Sequence, residues 1–266
     1  MKRVLMLVLA AACAFAAEEK STEHKTFSGV RELVVDNVTG FIEVTASSGG
    51  SVEMDVEKTL SGDSADRLAL ARKEISLNTT QEGGLVRLYV DGPFRHGGGW
   101  HEVYGFRYNF RIRVPQGVKL ELHSVNDSHI TVDGTVGDFK ISNVNGPIEM
   151  KEVTGVGSVT TVNGGVKVMF AKNPTGPTSF KTVNGSLDVS FRSGLNADLK
   201  MKTTNGGLYT DFDVSAMPVV GEPAQNRNGK FVWSSRRMTG VRIGQGGPLL
   251  QFETLNGDVM VKNREK

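Results

Sequence analysis

The chain has 266 residues, with 31 Lys and Arg against 29 Asp and Glu. This near balance of charge argues against non-specific attraction to nucleic acid or to an anionic membrane surface. The single cysteine, Cys13, excludes a disulfide framework within the chain. Aromatic residues make up only 7%, which favours a narrow core of Val, Ile, Leu and Met.

The N-terminus has the pattern of a secretory signal. Lys2 and Arg3 precede an apolar run at 4–12 that is too short to span a membrane. Ala14-Phe15-Ala16 fits the small-residue cleavage rule, so residues 1–16 are predicted to be removed. The protein is therefore expected to be exported to the periplasm, the cell surface or the medium, with no transmembrane segment after cleavage. Lipid attachment at Cys13 is the alternative, but Ala10 stands where such sites prefer Leu.

The N-terminal part, 27–118, alternates apolar and polar residues in several short runs. Strands are predicted at 32–35, 40–45, 51–58, 75–78, 85–90 and 106–114. One short helix is predicted near 64–73, with Asp63 or Ser64 as its cap. We expect this helix to cover an end or a side of the sheets, because uncovered edge strands recruit other chains.

The loop at 91–105 concentrates aromatic and imidazole side chains in a chain that has few. His96, Trp100, His101 and Tyr104 suit contact with a sugar or a peptide. The alternative is an insertion whose aromatic residues fold back on the sheet. Two histidines five residues apart on a glycine-rich loop lack the fixed spacing of a metal motif, so neither a metal nor a cofactor is predicted.

From residue 119 the sequence repeats with a period near 20. Each copy has two short alternating runs that meet at an asparagine, and a degenerate copy has Thr39 at that place. A fixed period of this length indicates stacked repeats that cannot each bury an apolar face alone. The corner residues with a predicted structural role are Asn126, Asn145, Gly146, Asn163, Gly164, Asn184, Gly185, Asn205, Gly206, Asn256 and Gly257.

Two architectures fit this pattern. In an antiparallel meander each Asn-Gly would be a hairpin turn, whereas in a β-solenoid equivalent strands stack in parallel about 4.8 Å apart. The solenoid explains why equivalent positions keep one residue class, and it predicts a ladder of asparagine side chains. The valines just before the asparagine, such as Val162 and Val183, are assigned to the interior. We predict a single all-β domain at 27–264, with regular coils at 119–214, an irregular excursion at 215–240 and a final coil at 241–264.

The excursion contains the one basic cluster that lies beside an aromatic residue. Trp233, Arg236 and Arg237 could contact an anion or an acidic glycan. The alternative is a solvated corner beside a packed tryptophan.

Two stretches carry a resemblance to a known family. VPQGVKLELHSVNDSHITVDGTVGDFKISNVNGPIEM and the later GQGGPLLQFETLNGDVMVK resemble the DUF4097 family of adhesin-like proteins of bacterial envelopes, which is related to the head GIN adhesin domain. The resemblance covers roughly 27–264 and implies a right-handed parallel β-helix in the envelope, with no catalytic residues to transfer. The chain departs from the family pattern at 127–129, where the corner is longer, and between 214 and 240.

No nucleophile elbow, phosphate loop or dinucleotide fingerprint occurs, and no catalytic residue is predicted. The expected function is a non-enzymatic binding or structural scaffold whose partner is a glycan or an envelope protein. A carbohydrate-active enzyme on the same scaffold is one alternative, and a regulatory protein that acts through a protein partner is another.

Overall fold

The computed structural model describes residues 17–95, 104–217, 225–227, 230–232 and 238–266. The predicted signal peptide, 1–16, lies outside these residues. Within them, no helix has the length and apolar character needed to cross a membrane. The described chain is nearly all β, in two large mixed sheets with one α-helix.

The elements follow the chain in this order: β1 (Ala17–Ser28), β2 (Glu32–Asp36), β3 (Ile42–Ser47), β4 (Ser51–Gly62), α1 (Ala65–Glu74), β5 (Ser76–Glu82), β6 (Leu85–Asp91), β7 (Tyr104–Pro115), β8 (Lys119–His123), β9 (Ile130–Asp133), β10 (Phe139–Ser142), β11 (Ile148–Val153), β12 (Gly157–Thr160), β13 (Val166–Phe170), β14 (Thr178–Lys181), β15 (Leu187–Phe191), β16 (Ala197–Lys202), β17 (Leu208–Thr210), β18 (Val214–Ala216), β19 (Gln225–Arg227), β20 (Lys230–Val232), β21 (Thr239–Ile243), β22 (Leu249–Glu253) and β23 (Val259–Asn263).

Sheet 1 has the strand order β1-β4-β7-β3-β9-β11-β13-β15-β23-β17, and sheet 2 has the order β18-β21-β16-β22-β14-β12-β10-β8-β2-β6-β5. Among the described residues, strands β19 and β20 pair with each other and with no other strand. The core lies between the two sheets and consists mainly of Val, Ile, Leu, Met and Phe.

Each repeat contributes one strand to each sheet. Strand β10 lies in sheet 2 and the next strand, β11, lies in sheet 1, so the Asn-Gly corner between them is not a hairpin turn. Equivalent strands of neighbouring repeats pair in parallel and in register, as with Ile141 opposite Val159 and Ile148 opposite Val166. The alternating pattern therefore places like residues over like residues in both sheets.

The expectation of purely parallel pairing is wrong at one end of sheet 1 and at both ends of sheet 2. Strands β1, β4 and β7 pair antiparallel, as do β5 with β6, and β21 pairs antiparallel with both β16 and β18. Strand β1 was not predicted, because EEKSTEHKT has no apolar alternation. It forms the polar edge of sheet 1, and charged side chains on an edge strand discourage pairing with other chains.

Helix α1 lies on the antiparallel part of sheet 1. Ser64 caps it, and its side-chain oxygen accepts a hydrogen bond from the backbone N of Arg67 at 3.3 Å. Leu68 and Ala71 are buried against β4 and β7, whereas Ala65 and Ala69 are exposed. The helix therefore covers a side of the sheet.

At the corners of Asn163 and Asn184 the inward side chain is a threonine rather than the valine that follows it, and Ser124 and Asn143 are buried at the equivalent place in the two preceding repeats. Thr182 is 5% exposed, whereas Val183 is 37% exposed. The assignment of Val162 and Val183 to the interior is wrong, because strict alternation from the buried Phe180 continues through the corner. The Thr182 hydroxyl donates to the carbonyl oxygen of Gly164 in the neighbouring repeat at 2.9 Å. Equivalent bonds join Thr161 to Gly146, Thr254 to Gly185 and Thr203 to Gly257.

The corner glycine is required by close approach between backbones. A Cβ built on Gly164 would lie 2.3 Å from the carbonyl oxygen of Gly146, closer than any real contact allows. The pivotal asparagines do not have positive φ: in the described chain only Asp127 and Glu152 do so among residues other than glycine. The asparagine at the pivot is therefore not required for its backbone conformation.

The pivotal asparagines form a continuous row of side-chain hydrogen bonds along the corner edge. In the order 205, 256, 184, 163, 145, 126, the Nδ2 of each asparagine donates to the Oδ1 of the next one, at 2.6–3.0 Å. Buried or aligned amides polarise one another, which strengthens such a row.

The spatial order of the repeats differs from their order in the chain. Asn256 bridges both Asn184 and Asn205, and β22 and β23 lie between the strands of these two repeats. The segment predicted to finish the stack therefore lies inside it, with the Asn205 repeat beyond it.

Candidate functional site

The outer face of sheet 1 carries one row of side chains from the repeats. Within β9, β11, β13, β15 and β23 the inward positions are apolar and the intervening positions face outward. Because these strands are parallel and in register, the outward residues form a single line: Thr131, Glu149, Lys167, Asp188 and Met260.

A groove follows this row where the strands begin. The residues two positions after the pivotal asparagine are small or compact, namely Pro147, Gly165 and Ser186, and they leave a depression beside the longer outward side chains. The groove has a volume of about 740 Å³ and includes both sets of residues. We call it the sheet 1 groove.

One end of the groove is built by the irregular corner after Asn126. Asp127 has a φ of 46°, and Ser128 points inward, where its hydroxyl donates to Asn143 Oδ1 at 2.8 Å. The corner after Asn126 has one residue more than the corner after Asn145. With this longer corner, His129 faces outward and lines the wall of the groove.

His129 belongs to an aromatic platform. Its ring stacks on Phe41 with 5.2 Å between centroids, and the guanidinium carbon of Arg111 lies 4.8 Å from the Phe41 centroid. Glu43 lies 3.2 Å from Arg111 and 3.6 Å from His129, which holds both groups over the ring. We call Phe41, His129, Arg111 and Glu43 the His129 platform.

The charges along the groove are paired with opposite charges. Glu149 lies 3.2 Å from Lys151 and 3.9 Å from Lys167, and Asp188 lies 2.7 Å from Lys262. No group of three or more His, Cys, Asp or Glu side chains suited to a metal ion occurs in the described part of the chain. The groove thus offers an aromatic ring face at one end and a line of hydrogen-bonding groups with little net charge.

Of the ligand-contact residues predicted from the sequence, only Tyr104 lies within the described residues. Its hydroxyl donates to Glu74 Oε2 at 2.5 Å. Burial raises the pKa of Tyr104 well above its usual range, and the hydrogen bond to Glu74 adds to this. Tyr104 therefore joins β7 to the last turn of α1 and does not reach the groove. The other predicted contact residues lie outside the described residues: His96, Trp100, His101, Trp233, Arg236 and Arg237.

The remaining histidines do not come together. His24 lies 2.8 Å from Asp55 on the β1 edge, and His123 Nδ1 lies 2.8 Å from the Ser142 hydroxyl in sheet 2. His129 and Phe41 were not predicted as site residues from the sequence. Two signals pointed to them: the one-residue-longer corner at 127–129 and the aromatic residue after Gly40 in the degenerate repeat.

No protein family model matches the chain, and no curated protein sequence matches it. The resemblance to the DUF4097 family therefore stays a prediction.

Three solved structures are similar over most of the chain. A candidate cell adhesion protein from Clostridium sporogenes ATCC 15579 has a TM-score of 0.43 and 10% identity, covering 92% of this chain and all of its own. A candidate adhesin from Bacteroides fragilis NCTC 9343 has a TM-score of 0.29 at 10% identity, covering 92% of this chain and 97% of its own. A candidate lipid-binding protein from Parabacteroides distasonis ATCC 8503 has a TM-score of 0.27 at 9% identity, covering 91% and 96%. At these scores the likeness decides neither fold nor function.

Proposed function

We propose that this protein is an exported, non-enzymatic binding scaffold of a bacterial cell envelope that holds a glycan in the sheet 1 groove. In this proposal the repeats are the coils of a right-handed parallel β-helix. Parallel, in-register pairing of equivalent strands and the two-sheet arrangement of each corner support that architecture.

The observation that carries the proposal is the groove with the His129 platform at its end. Sugar rings pack on aromatic faces while their hydroxyl groups bond to polar groups around them. The paired Glu149 and Asp188 provide acceptors, and Lys167 and Thr131 provide donors along the same line. A neutral or mixed-charge glycan chain fits this balance better than a highly anionic ligand.

The binding test is a glycan array with the purified chain, followed by titration of the best-retained glycan with two histidine variants. We expect His129→Ala to weaken binding about two- to ten-fold, because an aromatic contact contributes roughly 0.5–1.5 kcal/mol. The matched control is His123→Ala, which removes an imidazole from sheet 2, away from the groove. Equal affinities for both variants, or no glycan retained by the unaltered chain, would contradict the proposal. Turnover of a retained glycan would favour the enzyme alternative.

Export rests on the signal at 1–16. We expect the protein recovered outside the cytoplasm of a bacterial host to begin at Ala17 or Glu18, measured by intact mass. Replacing Ala14 and Ala16 by bulky residues should leave an uncleaved precursor, since the peptidase requires small side chains there. A mature protein that retains residue 1 would count against this part of the proposal.

A further inference from the structure

The C-terminal repeat lies between two repeats that come earlier in the chain. Strand β22 pairs in parallel with β14 on one side and β16 on the other, and β23 does the same between β15 and β17. The repeat at 249–263 thus occupies a seat between two repeats that precede it in the chain. We call this place the internal seat.

The C-terminal repeat makes the same hydrogen bonds to its neighbours in the internal seat as the other repeats make to theirs. On one side Asn256 Nδ2 donates to Asn184 Oδ1 at 2.7 Å, and the Thr254 hydroxyl donates to Gly185 O at 2.9 Å. Phe252 stacks on Phe180 with 5.2 Å between centroids. On the other side the Asn205 repeat makes the equivalent bonds to Asn256 and Gly257.

The Asn205 repeat has the same donors as the repeat that fills the seat. Thr203 and Asn205 correspond to Thr254 and Asn256, and Leu208 corresponds to Val259. It also precedes the C-terminal repeat in the chain, so it emerges first during synthesis. The internal seat must therefore stay open, or reopen, until residues 249–263 arrive.

A single short crossing joins the C-terminal repeat to the rest of the chain. Strands β21 and β22 lie on opposite sides of β16, and residues 244–248, GQGGP, carry the chain around the start of that strand. The backbone N of Gln245 donates to Asn196 Oδ1 at 2.8 Å. Gly244 has a φ of 58°, and a Cβ there would lie 2.2 Å from the same Asn196 oxygen. Glycine is thus required where the crossing turns.

The last residues fasten the repeat across several neighbours. Arg264 Nη1 donates to Phe170 O at 2.7 Å and its guanidinium pairs with Glu152. Glu265 Oε2 accepts from Ser193 N at 2.8 Å. These contacts belong to the same C-terminal segment and would move with it.

We propose that the internal seat also accepts the repeat 249–263 of a second copy of this chain, so that two copies exchange C-terminal repeats and form a dimer. Every bond within the seat is unchanged in the exchanged form, because the donated segment has the same sequence. Only the path of 244–248 differs, which makes exchange a low-cost route to association. The repeat of the same chain is favoured in dilute solution, because the connection gives it a high effective concentration. Exchange is therefore expected when chains fold together at high concentration.

The test uses single-cysteine chains in a Cys13→Ser background. Ser179 and Gln251 are neighbours in register in sheet 2, at the roughly 4.8 Å spacing that a disulfide can bridge. Chains with Ser179→Cys and chains with Gln251→Cys are mixed, unfolded, refolded together at high concentration and mildly oxidised. The matched control is Ser158→Cys mixed with Ser179→Cys, because these residues are also neighbours in register but lie in repeats that succeed each other in the chain.

We expect the mixed disulfide dimer of the first pair to exceed that of the control pair at least ten-fold on a non-reducing gel. Light scattering of the unaltered chain refolded in the same way should show a dimer. A second pair in sheet 1, Ser190→Cys with Lys262→Cys, should give the same result if one variant of the first pair folds poorly. Mixed dimers at the control level for both pairs, with a monomer in solution, would overturn the proposal.

Discussion

Replacing Gly164 by alanine should destabilise the protein strongly. The added Cβ would lie 2.3 Å from Gly146 O and 2.5 Å from the carbonyl carbon, so two backbones must separate. Overpacking of this kind costs about 3 kcal/mol, which corresponds to a fall in melting temperature of roughly 6–12 °C for a domain of this size. Thermal unfolding followed by circular dichroism measures the change.

The matched control is the next residue. A Cβ on Gly165 meets only Ser186 O, at 3.5 Å, which is an ordinary contact. Gly165→Ala should leave the melting temperature unchanged or raise it slightly, because alanine reduces the freedom of the unfolded chain. Similar losses for both variants would mean that the corners do not depend on close backbone approach.

Replacing Val189 by aspartate should unfold the repeats. Val189 is fully buried and lies in register between Val168 and Val261. A carboxylate there would have no partner, and an uncompensated buried charge costs on the order of 4 kcal/mol. Since whole domains are stable by roughly 5–15 kcal/mol, we expect a large loss of β-sheet signal or a much lower melting temperature.

Val183→Asp provides the comparison for the same substitution. Val183 is 37% exposed at the corner edge, so its carboxylate would remain in water. We expect its melting temperature to stay within a few degrees of the unaltered chain, because surface substitutions usually change stability by about 0.5 kcal/mol or less. If Val183→Asp were as damaging as Val189→Asp, the inward and outward assignments at the corner would be wrong.

The alternation of apolar and polar residues predicted the elements well in the N-terminal part. The strands at 32–35, 85–90 and 106–114 are present with slightly different ends, and Ser64 caps the helix. Val183 was wrongly assigned to the interior because it is apolar, although the alternation of inward and outward residues places it outside. The alternation itself places Thr182 inside, and the carbonyl of Gly164 gives that threonine a hydrogen-bond partner.

The order of the repeats could not be predicted, for a physical reason. Asn205 and Asn256 offer the same amide, and Thr203 and Thr254 offer the same hydroxyl, so the pattern carries no information about which repeat lies next to Asn184. The antiparallel ends were missed because β1 pairs mainly through its backbone and has a polar sequence. The groove depends on three compact residues that face outward in different repeats, and no local motif marks them.

The internal position of the last repeat also determines how the molecule responds to mechanical load. A terminal layer would be peeled from a single neighbour, one hydrogen bond after another. A pulling force applied at Lys266 instead acts on strands β22 and β23, and each of them is hydrogen-bonded to a neighbouring strand along both edges. Two rows of interstrand hydrogen bonds therefore resist the force together. The C-terminal end of this chain is thus held by a repeat that is paired on two sides, and we expect it to withstand a pulling force better than a repeat at the end of the stack.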